Sequence, residues 1–424
     1  MSATKYAIVG GGPAALSAAG AIRKRDQTGS ITVIGAEKHP PYYRPLISYY
    51  LSGQVEREKL FWREEDCFGR QQIRFINARV VGIEGRQGKL ILERPPQGEA
   101  REPEKEELKF EKLLIATGAD PVKPDIPGLE LSGVHFLRTI DQAEAIGRQA
   151  REQKKALIVG GGLVSLRAAC ALHKLGLEVT LVVSSAQLLS RMLDPQGADL
   201  VARHLAEQGI GILLQSDVAR INGSGTAVEG VTLAGGEELE AGLVIIGKGV
   251  KPAVAFPEGC DIEINGGIPV NDKLQTSLAH VYAAGDAALC SDLLSGKPAL
   301  HQLWPHAVVQ GELAGANMAG AELTYEGSLA MNATEILGLP VMAAGLAAPG
   351  EDDPSLEIYT RCRPPGPGEL PLYTRTVIRD NRLVGYVAVG AHRKAGLLTN
   401  LIMSRQPLSP YRKEQLKQGR LSCW

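Results

Sequence analysis

Cysteine is sparse in this chain and shows no pairing pattern. Cys67, Cys170, Cys260, Cys290, Cys362 and Cys423 are scattered, with no Cys-x-x-Cys and no histidine at ligand spacing. A disulfide framework, a zinc site, an iron–sulfur ligand set and a redox-active dithiol therefore lack their residues. Reduced thiols in ordinary packing are expected. Long apolar runs are missing too, and no stretch reaches the length of a bilayer span. The first residues carry no charged leader before a short apolar run. A soluble, cytoplasmic chain with no membrane partner is the expectation. The formal net charge is only −1, so there is no electrostatic case for a nucleic-acid partner.

Glycine, by contrast, stands at two informative places. Tyr6-Ala-Ile-Val-Gly-Gly-Gly-Pro-Ala-Ala15 and Ala156-Leu-Ile-Val-Gly-Gly-Gly-Leu-Val-Ser165 each run a short apolar strand into Gly-x-Gly and an Ala-rich helix. The first glycine of such a turn permits the tight bend, and the second lets backbone approach a pyrophosphate. The helix N-terminus then offers N–H donors and positive dipole to the anion. Two such turns imply two dinucleotides, with electrons passing between them. At 424 residues the chain suits two or three domains.

The first unit reads as strand Ala7–Val9, helix Pro13–Arg25 and strand Ile31–Ile34. Val80–Ile83 and Lys89–Glu93 form a hairpin, and charge-rich Arg94–Glu107 is expected as a solvated loop before strand Leu113–Ala116. The second unit repeats the pattern with strand Ala156–Val159, helix Leu163–Leu175, strand Glu178–Val182, helix Pro195–Gln208 and strand Leu243–Ile246. Such β-α-β units imply α/β folding on parallel sheets, with ligands at the carboxyl ends of the strands. Val281-Tyr-Ala-Ala-Gly-Asp286 is a strand ending at an acid, and Pro305–Met318 is a helix. From about Met331 a smaller α+β domain is expected. It has strands Leu372–Arg379 and Leu383–Val389, a loop at Arg363–Gly368, helix Ala395–Met403 and a last helix opened by Ser409-Pro410.

Four segments in order, the Gly10–Ala15 turn, Leu114-Ile-Ala-Thr-Gly118, the Gly160–Gly162 turn and Tyr282-Ala-Ala-Gly-Asp286, resemble the FAD/NAD(P)H oxidoreductases of the glutathione-reductase type. Pro40-Pro-Tyr-Tyr-Arg-Pro-Leu-Ile-Ser48, Leu303-Trp-Pro-His-Ala307 and Arg393-Lys-Ala-Gly-Leu-Leu-Thr-Asn400 resemble one branch of it. That branch holds NADH:rubredoxin and ferredoxin reductases and the flavin domain of nitrite reductases. The resemblance implies two Rossmann-like domains, one inserted in the other: 1–118 and 247–325 for FAD, and 119–246 for NAD(P). A C-terminal interface domain at 331–424 would follow.

For FAD the resemblance implies Gly10, Gly12, Pro13 and Ala14 at the pyrophosphate and Glu37 on the adenosine ribose. Arg44 and Pro45 would lie along the flavin and its phosphates, and Val80 would face the adenine. Ala116, Thr117, Gly118 and Arg138 are further contacts, Asp286 is placed on the ribityl chain, and Trp304 beside the isoalloxazine. The Tyr42, Tyr43, Tyr49 and Tyr50 cluster is left to plain packing. Relatives with thiol chemistry carry a cysteine pair after the first helix or a single cysteine near Tyr43; this sequence has neither. The flavin would then be the redox centre, with no catalytic side chain, and an iron–sulfur protein the natural partner.

The nicotinamide site, implied at Gly160, Gly162, Leu163, Val164, Arg167 and Ser184, departs from its family. Ser165 replaces the third glycine, and Arg167 stands where a glutamate lies near the nicotinamide and flavin edge. Val183 ends the strand where NAD sites present an acid to the ribose diol. NADH should then bind poorly. Ser184 and Ser185, with Lys248 and Lys251 near, would suit a 2′-phosphate. Three readings stay open: an enzyme using NAD(P)H and an iron–sulfur partner, a flavin-carrying subunit of a larger complex with a weakened or lost nicotinamide site, and a redox-sensing interaction module. A homo-oligomer is compatible with all three.

Overall fold

The computed structural model describes residues 2–62, 68–69, 72–96, 103–256, 258–350, 353–363, 366, 368–390 and 395–418. Two compact units emerge. The first gathers Met1–Pro45, Glu56–Asp120 and Val250–Ser328; the second gathers Leu46–Val55, Pro121–Gly249 and Leu329–Trp424. Both contain Rossmann-like parallel sheets.

In the first unit, strand Ser2–Val9 sits between Ile31–Gly35 and Glu104–Ile115, all parallel, with Tyr6 opposite Ile31 and Lys112. Ile73–Asn77 extends the sheet beyond Ile31–Gly35, and Val281–Ala283 joins Glu104–Ile115 on its free part. The Ile31–Gly35 strand is buried throughout, as expected where both sheet faces are covered. Helix Pro13–Arg25 opens with proline in its first turn and packs backbone-to-backbone on helix Trp304–Met318. A Cβ on Gly311 would lie 2.1 Å from the Ala14 carbonyl oxygen, and one on Gly315 2.3 Å from that of Ala18.

One expectation fails here. The stretch expected as a loop, Arg94–Glu107, is strand at both ends: Arg94 closes Lys89–Arg94, and Glu104–Glu107 open the strand Glu104–Ile115. Two charges of that strand are paired across the sheet: Lys89 meets Glu107 at 3.1 Å and Arg94 meets Glu106 at 2.8 Å. Leu108 and Phe110 alternate inward between them. Residues 97–102 of that stretch lie outside the described ones.

The second unit holds a five-stranded parallel sheet in the order Gly211–Leu214, Glu178–Val183, Lys155–Val159, Leu243–Ile246, Val134–His135. The chain reverses its direction of strand addition at Lys155–Val159, which puts the topological switch point, the usual ligand position in such sheets, between that strand and Leu243–Ile246. Helix Ile140–Ala150 starts at a capping box, in which the Thr139 side chain accepts from the Gln142 N–H and the Gln142 side chain reaches back.

Where two C-terminal strands are expected, the sheet has five: Met331–Ile336, Leu339–Gly345, Arg382–Val389, Leu372–Arg379 and Glu357–Arg363, all antiparallel. The Leu337-Gly338 turn, both residues at positive φ, makes a tight hairpin that hydrophobic pattern alone does not announce. Helices Ala395–Ser404 and Pro410–Lys417 follow. Tyr373, Val387 and Val389 share a buried cluster with Leu188, Leu193 and Val201.

Candidate functional site

In the first unit the Gly10–Gly12 turn leaves the carboxyl end of Ser2–Val9. Gly10 has φ +121°, and a Cβ there would stand 2.1 Å from the Ala116 carbonyl oxygen. Only glycine allows the strand to turn so close to Ala116-Thr-Gly118. At Gly11 and Gly12 a Cβ would meet nothing within 4 Å, so backbone lies open above the helix start. Gly12 is the N-cap and has no side chain to satisfy the first N–H groups, which suits an anion. Pro13 follows at the first helical position. Ala14 in turn keeps Gly311 a glycine, since a Cβ there would meet the Ala14 main chain, and one on Gly285 would lie 3.3 Å from the Ala14 Cβ. Thr117 Oγ1 is buried with no hydrogen-bond partner among the described residues, which a bound polar ligand would remedy. The residues present therefore fit an FAD pyrophosphate.

Glu37, Arg44 and Asp286 converge in the same unit. Glu37 Oε1 accepts from Arg44 at 2.6 Å, and its Oε2 accepts from the Tyr42 hydroxyl at 2.5 Å. Burial opposes the Arg44 charge, but Tyr42, Glu37 and Asp286 outweigh it and raise its pKa. An ionised carboxylate has about four lone-pair sites, so these contacts leave Glu37 able to accept ribose hydroxyls as well. Pro45 follows Arg44 in the same short 3₁₀ turn. Asp286 follows Gly285, whose N–H donates to Gln310 Oε1 at 2.8 Å. Gln310 was not legible as a site residue; it fixes this turn from helix Trp304–Met318. Val80 sits where strand pairing slips between Val80 and Gly82.

Trp304 opens its helix within an aromatic cluster. Tyr43 stacks on Trp62 at 5.1 Å, and Trp304 lies 5.7 Å from Tyr43 and 6.2 Å from Trp62. Tyr43, set aside as packing in the sequence, thus stands with a candidate cofactor residue. Arg138 belongs to the second unit, where its backbone N–H donates to Gln142 Oε1 at 2.8 Å ahead of helix Ile140–Ala150. Residues 391–394, including Arg393 and Lys394, are outside the described part.

The second turn repeats the first. Gly160 has φ +130°, with its Cβ position 2.3 Å from the Gly247 carbonyl oxygen, and Gly162 is open. Ser165 is accommodated where a glycine is usual: it is buried, and its hydroxyl donates to the Gly247 carbonyl at 3.1 Å. Leu163 and Val164 form the first turn of the helix, and Val164 is exposed. Val183 is 1% exposed, with Cγ1 2.7 Å from the Cβ position of Gly161.

Arg167 is anchored by other parts of its unit. Its guanidinium lies 3.8 Å from the Tyr49 ring centre and donates to Ser48 Oγ, Thr334 Oγ1 and the Glu335 carbonyl at 3.2–3.3 Å. The helix Ile47–Leu51 and the strand Met331–Ile336 thereby hold a charge that the sequence assigned to a ligand site.

Burial pushes the Cys170 thiol up despite Arg167 nearby, and pushes the Cys290 thiol up to about 12. Both are therefore protonated and poor nucleophiles near neutral pH. Replacing all six cysteines by Ser or Ala should leave flavin reduction and reoxidation intact. A thiolate-to-flavin charge-transfer band, or inactivation on alkylation, would count against this. No cluster of three metal-ligating side chains occurs among the described residues, and no described helix is long and apolar enough to cross a membrane.

The model of the pyridine nucleotide-disulphide oxidoreductase family matches residues 4–311. The chain belongs to this family. It is an FAD-dependent pyridine nucleotide oxidoreductase. It is 32% identical to the NADH-dependent phenylglyoxylate dehydrogenase subunit epsilon of Aromatoleum evansii, over 96% of this chain and 94% of that one. It is 29% identical to the assimilatory nitrate reductase electron transfer subunit of Bacillus subtilis over 91% of this chain, but spans only 47% of that relative. Among solved structures, the ferredoxin reductase for the CYP199A2 system from Rhodopseudomonas palustris superposes with a TM-score of 0.79 at 26% identity. That match covers 91% of each chain.

Proposed function

We propose that this oxidoreductase moves electrons between NAD(P)H and a small iron–sulfur protein of rubredoxin or ferredoxin kind, without a redox-active cysteine. The carrying observation is a pair of open glycine turns, at Gly12 and Gly162, in a chain whose first 66 residues contain no cysteine. The similarity to a ferredoxin reductase supports the partner class.

In this reading FAD supplies the chemistry, taking a hydride and releasing electrons singly. The chain's own residues bind and orient. The Gly10–Gly12 backbone and the helix start hold the pyrophosphate, Arg44 offsets its charge, and Glu37 and Asp286 fix the two sugar-like portions. Tyr43, Trp62 and Trp304 wall the ring. Residues 1–118 and 247–325 would carry the flavin and 119–246 the nicotinamide nucleotide, with 331–424 as an interface domain.

Anaerobic mixing with NADH or NADPH should bleach the flavin, and adding oxidised ferredoxin or rubredoxin should restore its colour. A flavin that neither nucleotide reduces would end this reading. A second reading, a flavin-carrying subunit of a larger electron-transfer assembly, is favoured by two relatives that are themselves named as subunits. With its nicotinamide site weakened or lost, it expects little or no bleaching by either nucleotide in the isolated chain.

A further inference from the structure

At the carboxyl edge of the second unit's parallel sheet, the position that presents an acid in NAD sites is Val183, buried and apolar. The loop after the neighbouring strand Gly211–Leu214 returns to the same place, because the Ser216 N–H donates to the Val183 carbonyl at 3.0 Å. The next residue is Asp217. Its backbone carbonyl accepts from Ala234 N–H at 2.8 Å. Its Oδ1 accepts from the Val218 N–H at 3.0 Å and from Lys248 Nζ at 2.6 Å. Lys248 follows Gly247, beside the Gly160 turn, and its Nζ also reaches Ser184 Oγ at 3.5 Å.

We infer that Asp217 is the acid of this nucleotide site, supplied from the adjacent strand end in place of residue 183. It would accept the adenosine ribose hydroxyls of a nicotinamide dinucleotide that lacks the 2′-phosphate. This inference rests on the nucleotide-binding reading of the Gly160–Gly162 turn.

Three observations favour a diol over a phosphate. Both side-chain contacts of Asp217 fall on Oδ1 and its side chain is 52% exposed, so Oδ2 remains for hydroxyl donors. Lys248, the cation in contact with Asp217, is already paired with that carboxylate. Of the two serines suited to a phosphate, Ser185 has committed its hydroxyl to the Gln187 carbonyl at 2.7 Å. A dianionic 2′-phosphate would therefore meet a carboxylate and a cation already spoken for, and like charge at contact distance is repulsive. The buried Val183 does not weaken NADH binding in this account; it fills the space under Gly161 while the acid comes from elsewhere.

The test is calorimetric titration of the FAD-loaded protein with ADP-ribose and with 2′-phospho-ADP-ribose, which reads binding without turnover. Wild type should bind ADP-ribose roughly tenfold or more tightly than the phosphorylated analogue. Asp217→Asn should weaken ADP-ribose binding about tenfold and tighten the analogue. Asp217→Glu should restore part of the preference. Tighter binding of the analogue by wild type, or unchanged ADP-ribose affinity in a folded Asp217→Asn, overturns the assignment. If wild type binds neither ligand, the nucleotide reading of the domain falls, and the assignment with it.

Discussion

Gly10→Ala should give a colourless, destabilised protein. Its φ of +121° is strained for any residue with a Cβ, and that atom would sit 2.1 Å from the Ala116 carbonyl oxygen and 2.7 Å from the carbonyl carbon. The backbone conformation alone costs about 1–3 kcal/mol, and the overlap with main chain cannot be relieved by turning a side chain. The strand end must move away from Ala116-Thr-Gly118, taking the Gly12 cradle with it. Gly12→Ala is the informative contrast. Its φ is −87° and its Cβ position has no neighbour within 4 Å, so the fold should tolerate the methyl. The methyl would instead enter the space needed by the pyrophosphate. The melting temperature without FAD should stay near wild type while flavin retained per chain falls by roughly tenfold or more, a penalty of about 1.4 kcal/mol upward. Full flavin retention in Gly12→Ala would mean that the open backbone above this helix is not where the cofactor binds.

That contrast also shows why the glycine turns were legible in the sequence. Gly10 and Gly160 answer a local demand, the positive φ of the strand-to-helix turn itself, and short-range demands leave short-range patterns. Features set by distant partners left less. The Glu104–Glu107 start of its strand reads as a loop because charges signal solvent unless Lys89 and Arg94 are known to stand opposite. Ser165 looked like a defect until Gly247, 82 residues on, supplied its acceptor. Arg167 read as a ligand-facing charge, whereas Tyr49, Thr334 and Glu335 hold it. The gathering of Tyr43 with Trp62 and Trp304 has no trace in spacing. Asp217 is separated from Val183 by the helix Pro195–Glu207 and the strand Gly211–Leu214, so its replacement of the missing acid could not be read from the strand-end motif.

The second large effect concerns a buried polar cluster that sequence reasoning did not anticipate. Asp194 precedes helix Pro195–Glu207 as its N-cap residue, yet its side chain makes no capping bond. It turns instead to the C-terminal sheet, accepting from the Tyr373 hydroxyl at 2.5 Å and facing Arg375 at 3.8 Å. All three are buried: 3% exposed for Asp194, 0% for Tyr373 and 5% for Arg375. Burial first, and then Asp194, push the Tyr373 phenol far above its ordinary value, so it remains a donor throughout the accessible pH range. Removing one partner of a buried charged pair costs about 3–5 kcal/mol, because the charge left in the interior loses an opposite charge that offset its burial. Asp194→Ala should therefore lower the unfolding free energy of the second unit by about that much, measured by urea denaturation. Tyr373→Phe removes one hydrogen bond but keeps the ring in its apolar cluster, and should cost only about 1–3 kcal/mol. The double variant should cost less than the sum of the two, since both remove the same bond. Additive losses would show that Asp194 serves Arg375 alone. An Asp194→Ala protein as stable as wild type would show that the cluster's favourable contacts only offset the cost of burying it.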